Sequence, residues 1–319
     1  LGVGTLATES ETALDRIIAI DWSGRIDALG QRRHIWAGIW TRSSTGKAKL
    51  TLEAGRTRDE VGDWLIELAK ETPRMAVGID CCFSFPAWFL AEHRCATVFD
   101  FWRHAAAGQG ERWLSREADD VARDERFWGA PHKRPAQLSG ANLHRGMRLT
   151  DWDNKVDPSR TNGEAERAAR MEKMRGITPK SPFQIGGSGT VGTGSLRAMP
   201  ILLRLHEAGF RAWPFESASF AARPRPLLLE IYTRLMTGPV AKSNPAARKL
   251  YLATRRKTDP LYAAVPRAVL TKAEASEDAF DALVSTLEMV RHADEIPTLR
   301  ATRNPTLRLE GETWRPGVR

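Results

Sequence analysis

Cysteine is scarce in this chain: three in 319 residues, with Cys81 and Cys82 adjacent and Cys95 apart from them. No Cys-x-x-Cys pair exists, which excludes a disulfide framework and predicts a reducing, cytoplasmic setting. His93, Cys95 and His104 match no structural zinc spacing. No apolar run approaches the length of a membrane span. The opening residues are too few and too uncharged for a signal peptide, and residues 1–14 are expected to be a disordered leader. No internal repeat and no low-complexity tract is found. Ser23 and Ser195 have no identifiable base, so no nucleophilic triad can be assembled.

What is present is a core-forming composition, 42% hydrophobic, with a formal charge of +9. The charge is unevenly spread. From Lys173 to Lys257 the chain holds fifteen Lys or Arg against three acids, Glu207, Glu216 and Glu230, while the remainder is slightly acidic. Such a segment suits a polyanionic partner such as nucleic acid, or forms a solvated basic face. Against this background four acids stand out, because they close or interrupt apolar runs. Asp21 ends Arg16-Ile-Ile-Ala-Ile-Asp21, and Asp80 ends Arg74-Met-Ala-Val-Gly-Ile-Asp80. Glu230 lies within Leu227-Leu-Leu-Glu-Ile-Tyr232, and Asp281 within Asp278-Ala-Phe-Asp-Ala-Leu283. A carboxylate near a core stays ionised only if a cation, hydrogen bonds or a metal compensates its lost hydration. If the four converge, they form an all-oxygen site suited to Mg²⁺ or Mn²⁺.

The periodicity predicts strands over Arg16–Asp21, Arg33–Thr41 and Lys47–Glu53, with a hairpin turn at 43–46. Thr57-Arg-Asp-Glu60 is a capping box that opens a helix, and Arg74–Asp80 is a further buried strand. From about 83 to 182 the pattern is lost. Glu111–Arg126 and Glu164–Arg175 read as helices of an insertion, and Trp88, Trp102, Trp113, Trp128 and Trp152 either stack bases or hold irregular structure together. After a glycine-rich stretch, a helix is expected from Ser195 to Ala208, then strands at Phe210–Phe215 and Leu227–Leu235, the second with a possible helical end. Helices follow at Asn244–Arg256 and Ser276–Arg291, and a terminal hairpin at Leu307–Trp314. If Arg16–Asp21 and Arg74–Asp80 are parallel neighbours, Asp21 and Asp80 emerge side by side at the carboxyl edge, where open α/β sheets bind ligands. Asp278 and Asp281, three apart, share one side of the last long helix.

These motifs carry a resemblance. Ile20-Asp-Trp-Ser-Gly24, Gly78-Ile-Asp80, Glu230-Ile-Tyr232, Asp278-Ala-Phe-Asp-Ala-Leu283 and the late Glu310-Gly311 are similar to the domain-of-unknown-function 429 family of predicted nucleases, within the ribonuclease H-like superfamily. The resemblance covers about 15–82 and 184–314. It implies a ribonuclease H-like α/β core of 15–82 plus 184–319, with 83–183 inserted. It further implies a metal-dependent nuclease with Asp21, Asp80, Glu230 and Asp281 as catalytic acids, and Asp278 as a further ligand or a simple first-turn acid. Ribonuclease H itself has a glutamate on the helix after the third strand, for which Glu60 and Glu67 are available here.

Gly187-Ser-Gly189-Thr-Val-Gly192 satisfies the dinucleotide fingerprint, yet no buried strand precedes it and Pro200 interrupts the helix that follows. No Lys follows Gly194, which excludes a Walker loop. Gly187, Ser188 and Gly189 either let the backbone approach a ligand phosphate, with Lys180 nearby, or shape a flexible loop. Arg255 and Arg256 are candidates for phosphate contact. Two other classes stay open: a small-molecule phosphotransferase of the actin-like type, and a non-catalytic nucleic-acid-binding module.

Overall fold

The computed structural model describes residues 13–42, 48–115, 124–129, 181–187, 190–218, 220 and 224–316. The expected leader up to Glu11 and Thr12, the 43–46 turn, Glu164–Arg175, Trp152, Lys180, Ser188 and Gly189 lie outside these. The architecture is α/β, built on one mixed six-stranded sheet. Its strands are β1 (Arg16–Asp21), β2 (Trp36–Arg42), β3 (Ala48–Glu53), β4 (Met75–Ile79), β5 (Arg211–Trp213) and β6 (Leu227–Glu230), in spatial order β3-β2-β1-β4-β6-β5. β2 runs antiparallel to both of its neighbours, β1 and β3, whereas β4 runs parallel to β1 and β6, and β5 parallel to β6.

Alternation along β1 and β4 explains the layering. Ile18, Ile20, Val77 and Ile79 enter one apolar cluster, and Ile17, Ala19 and Ala76 enter the other. A strand that is apolar on both sides has to be covered on both. The first face is covered by α2 (Arg58–Glu71), α3 (Ala87–Glu92), α4 (Val98–His104) and α5 (Gly192–Glu207). The second is covered by α6 (Thr233–Thr237), α7 (Pro245–Thr258), α8 (Arg267–Ala275) and α9 (Glu277–Arg291), with α9 lying on β1 and β2. The approach of α9 is close at Gly38, where a Cβ would stand 2.2 Å from Thr286 Oγ1 and 2.8 Å from the Ala282 carbonyl. A bare backbone at that point lets the helix settle on the sheet.

Several boundaries differ from expectation. Arg33 and His34 close a short helix, α1 (Ala28–His34), which the Asp27 side chain caps by accepting from Gly30 N at 2.5 Å. The strand therefore begins only at Trp36, opposite Asp21. The 227–235 segment is strand to Glu230 and helix from Thr233. Leu307–Trp314 is not a hairpin: Leu307–Glu310 is a helical turn started by Asn304 Oδ1, which accepts from Thr306 N and Leu307 N, and ended by Gly311 at φ 73°. The helix expected from Glu111 stops at Trp113.

The residues after β4 are part of the core. Phe85, Phe89, Phe101, Trp113, Phe127 and Phe183 pack ring against ring, with Phe85–Phe183 centroids 5.2 Å apart. Trp102 and Trp113 are fully buried, so these two tryptophans hold structure together and do not face a base. No helix among the described residues is long and apolar enough to cross a membrane.

Candidate functional site

β1 and β4 pair in parallel with Ile20 opposite Ile79, so Asp21 and Asp80 follow at the same sheet edge. The Asp80 amide donates to the Ile20 carbonyl at 3.0 Å, which extends the pairing one step and fixes the two aspartates alongside each other. Their side chains share a face by parity. Ile17 and Ala19 point to the α9 side, hence so does Asp21; Ala76 points there too, hence so does Asp80. On that side α9 presents Asp281, which is 1% exposed. Thr233, the first residue of α6, bridges the group. Its hydroxyl lies 3.0 Å from Asp80 Oδ2 and 3.2 Å from Asp281 Oδ2. One hydroxyl has one proton to donate, so Thr233 cannot fully satisfy both carboxylates.

Lys242 supplies the positive charge. Its ammonium is hydrogen-bonded to Asp281 Oδ2, and Glu277 Oε1 lies 3.6 Å away. Burial alone would lower the Lys242 pKa, but Asp281, Asp21 and Asp80 outweigh it and hold the lysine firmly protonated. Asp281 is pushed up to about 6, first by burial and then by Asp80 and Glu277, with Lys242 opposing. Asp21 is raised well above the ordinary carboxylate value, by burial first and then by the negative charges of Asp281, Asp80 and Asp278. Asp21 keeps some solvent contact, which screens part of that repulsion. Lys242 thus faces all three acids, and Asp281 Oδ1 is buried with no hydrogen-bond partner among the described residues.

Glu230 does not join them. It stands opposite Ile79, one step short of Asp80, so Ile231 occupies the matching level and Glu230 points to the other face. There it accepts from Phe83 N at 2.7 Å and from the Thr313 hydroxyl at 2.6 Å, fully buried. The loop after Asp80 is further held by Ser195 Oγ, which accepts from Cys82 N at 2.9 Å, and by Glu310, which accepts from Ala87 N at 2.7 Å. Glu230 is thus a positioning residue for the segment that carries Asp80. Arg234, the nearest arginine in sequence, donates to the Val240 carbonyl.

Asp278 meets His34 Nδ1 at 2.8 Å, in the first turn of α9, and acts on Asp21 only through its charge. Glu60 is forked to Arg32 and closes the capping box with Thr57, and Glu67 pairs with Lys70 at 2.6 Å. Neither supplies a fourth acid. Arg255 lies over the rings of Tyr251 and Tyr262 and faces Glu288 at 3.8 Å, seven residues along α9 from Asp281 and so about 10 Å away. Arg256 is exposed on the same part of α7. Of Gly187, Ser188 and Gly189, only Gly187, at φ 91°, is among the described residues.

Nearer the acids, the loop after Asp21 presses against the start of α5: a Cβ on Gly24 would lie 2.7 Å from Gly194 N, and Trp22 Nε1 donates to the Gly194 carbonyl at 3.1 Å. Two guanidinium groups clamp that loop, Arg58 on the Ser23 and Arg25 carbonyls and Arg197 on the Gly24 carbonyl. Neither Thr233 nor Lys242 was marked by sequence pattern. As the side chains lie, no group of three or more His, Cys, Asp or Glu among the described residues is placed to hold a metal ion. No protein-family model matches the chain, and no curated protein or solved structure does.

Proposed function

We propose that the protein is a divalent-metal-dependent phosphodiesterase of ribonuclease H-like architecture, acting on nucleic acid with Mg²⁺ or Mn²⁺. The observation that carries this reading is the meeting of Asp21, Asp80 and Asp281, from two parallel strands and one helix, on one side of the sheet edge. Antiparallel leading strands followed by a parallel neighbour, with an aspartate ending each of β1 and β4, support the resemblance in architecture.

On donor chemistry the residues fit such an ion: three carboxylates, all oxygen, with one buried Asp281 oxygen that no described residue hydrogen-bonds. The fit needs a shift of side chains, since Lys242 now engages Asp281 Oδ2. A divalent ion bound there would polarise a phosphate and lower the pKa of a water. This chain's own residues then have separable tasks. Asp21, Asp80 and Asp281 hold negative charge at fixed points, and the Thr233 hydroxyl orients Asp80 and Asp281 toward each other. Glu230 and Ser195 keep the loop behind Asp80 in place. Arg58, beside the loop that follows Asp21, places positive charge where a polyanion would approach, while the charge of Arg197 is taken up by Glu111.

The test is cleavage of a panel of DNA, RNA and hybrid substrates in Mg²⁺ or Mn²⁺ by the wild type and by Asp80→Asn. Metal-dependent cleavage that Asp80→Asn nearly abolishes is the expected result. Cleavage that survives Asp80→Asn and Asp281→Asn alike overturns the assignment, and metal-dependent ATP hydrolysis without nucleic-acid cleavage would favour a phosphotransferase.

A further inference from the structure

The acid group and its lysine are arranged as a place that two kinds of cation compete for. We infer that Lys242 is a built-in counter-ion of this site, which a divalent ion must displace from Asp281 before it can bind. The inference rests on the metal-dependent reading given above and deepens it by naming the residue that regulates occupancy.

Lys242 is not a surface lysine that happens to reach inward. It lies in the link between α6 and α7, and both sides of its position are gripped. Arg234 Nη1 donates to the Val240 carbonyl at 2.5 Å, and the Lys242 amide donates to that same carbonyl at 2.8 Å. Arg248, 3% exposed, donates from Nη1 to the Lys242 carbonyl at 2.5 Å and from Nη2 to the Glu274 carbonyl at 3.0 Å. A buried guanidinium spent on two carbonyls ties the link to the end of α8, just before α9. The backbone is thus anchored while the lysine stem stays free to turn.

Two berths are open to the ammonium. Asp281, the first, is a buried carboxylate with its side chain 2% exposed, and it also faces Thr233. Glu277, the second, lies one helical turn toward the start of α9, with its side chain 40% exposed, 3.6 Å from the same nitrogen. A compact ammonium on a flexible four-carbon stem can change from one to the other without movement of the backbone, which a planar guanidinium with a fixed fork does less readily. Lys242 on Asp281 compensates the buried carboxylate; Lys242 on Glu277 would release Asp281 Oδ2 to join the unpartnered Oδ1. Both states leave the ammonium paired, so exchange does not strand a charge in the interior.

The experiment uses the full chain and Mn²⁺ as the probe. Calorimetric titration compares the wild type with Lys242→Gln, and reaction with an acetylating reagent, in chelator and in Mn²⁺, reports the state of Lys242 in the wild type by mass spectrometry of its peptide. Lys249, exposed on α7, is the internal reference. Lys242→Gln should bind Mn²⁺ at least about tenfold more tightly, since no buried ion pair has to be broken. Mn²⁺ should raise the acetylation of Lys242 severalfold relative to Lys249. Wild type that binds Mn²⁺ while Lys242 acetylation stays unchanged, or while Lys242→Gln binds no more tightly, overturns the displacement and leaves the metal reading standing. Absence of Mn²⁺ binding in both proteins overturns the metal reading and the displacement with it.

Discussion

Lowering the pH should stabilise the acid group over a range in which His93 and His104, whose pKa values burial lowers, pull stability the other way, and Asp281 sets the size of the gain. Its carboxyl is pushed from the ordinary 3.8 to about 6 in the folded state, chiefly by burial. A carboxyl raised in this way binds its proton more tightly folded than unfolded. The stability it contributes is complete below the unfolded pKa and is lost as pH rises through the folded one. The whole shift corresponds to roughly 3 kcal/mol. Between about pH 7.5 and about pH 5 the part recovered is on the order of 1 kcal/mol, because the unfolded chain stays ionised over that interval. Asp21 is raised by the same causes and adds in the same direction. Urea unfolding in chelator, at several pH values, measures this for the wild type and for Asp281→Asn. The asparagine does not titrate, and it relieves Asp21 of its largest neighbouring charge, so the pH dependence of the difference isolates the acid group. Loss of the Lys242 partner shifts the variant by a constant offset. Wild-type stability that falls from pH 7.5 to 5 in parallel with the variant would refute the reasoning.

Three further outcomes follow from the packing. Glu230→Ala should cost about 3 kcal/mol or more, since the buried Phe83 amide and Thr313 hydroxyl each lose a partner worth roughly 1–3 kcal/mol; Glu230→Gln should leave Mn²⁺ affinity within about twofold, and a large loss would return Glu230 to the ligand set. Gly38→Ala should destabilise by about 1–3 kcal/mol and weaken Mn²⁺ binding together, because its methyl meets Thr286 and Ala282 and lifts α9, with Asp281, from the sheet; thermal unfolding and calorimetry read the two effects. Asp278→Asn should cost only about 0.5–1 kcal/mol, as expected for a first-turn acid paired with a partly exposed histidine, and urea unfolding checks it.

The parallel pairing of β1 with β4 was legible in the chain because both runs are apolar on both faces and each ends in an aspartate. The helix that delivers Asp281 was legible for a different reason, the helical spacing of apolar Phe280, Leu283, Val284 and Leu287. Glu230 was misplaced because composition alone does not carry register. Its run reads like the other two, yet β6 pairs with β4 one residue out of step, and a single step turns a side chain to the opposite face. Glu310-Gly311 was read as a hairpin turn since glycine serves a helix end and a hairpin equally; Asn304, which starts the helical turn, was the overlooked signal. Lys242 and Thr233 left no local pattern, because their roles come from where α6 and its following link dock, far along the chain from Asp21 and Asp80.

The central claim, that Asp21, Asp80 and Asp281 form a divalent-metal site, is tested most directly by anomalous diffraction from crystals of the full chain equilibrated with Mn²⁺. The account predicts an anomalous peak at the edge of β1 and β4, in contact with oxygens of Asp80 and Asp281 and facing Asp21, with the Lys242 ammonium turned toward Glu277. Saturating Mn²⁺ with no peak at that edge, and Lys242 still bonded to Asp281, would contradict it.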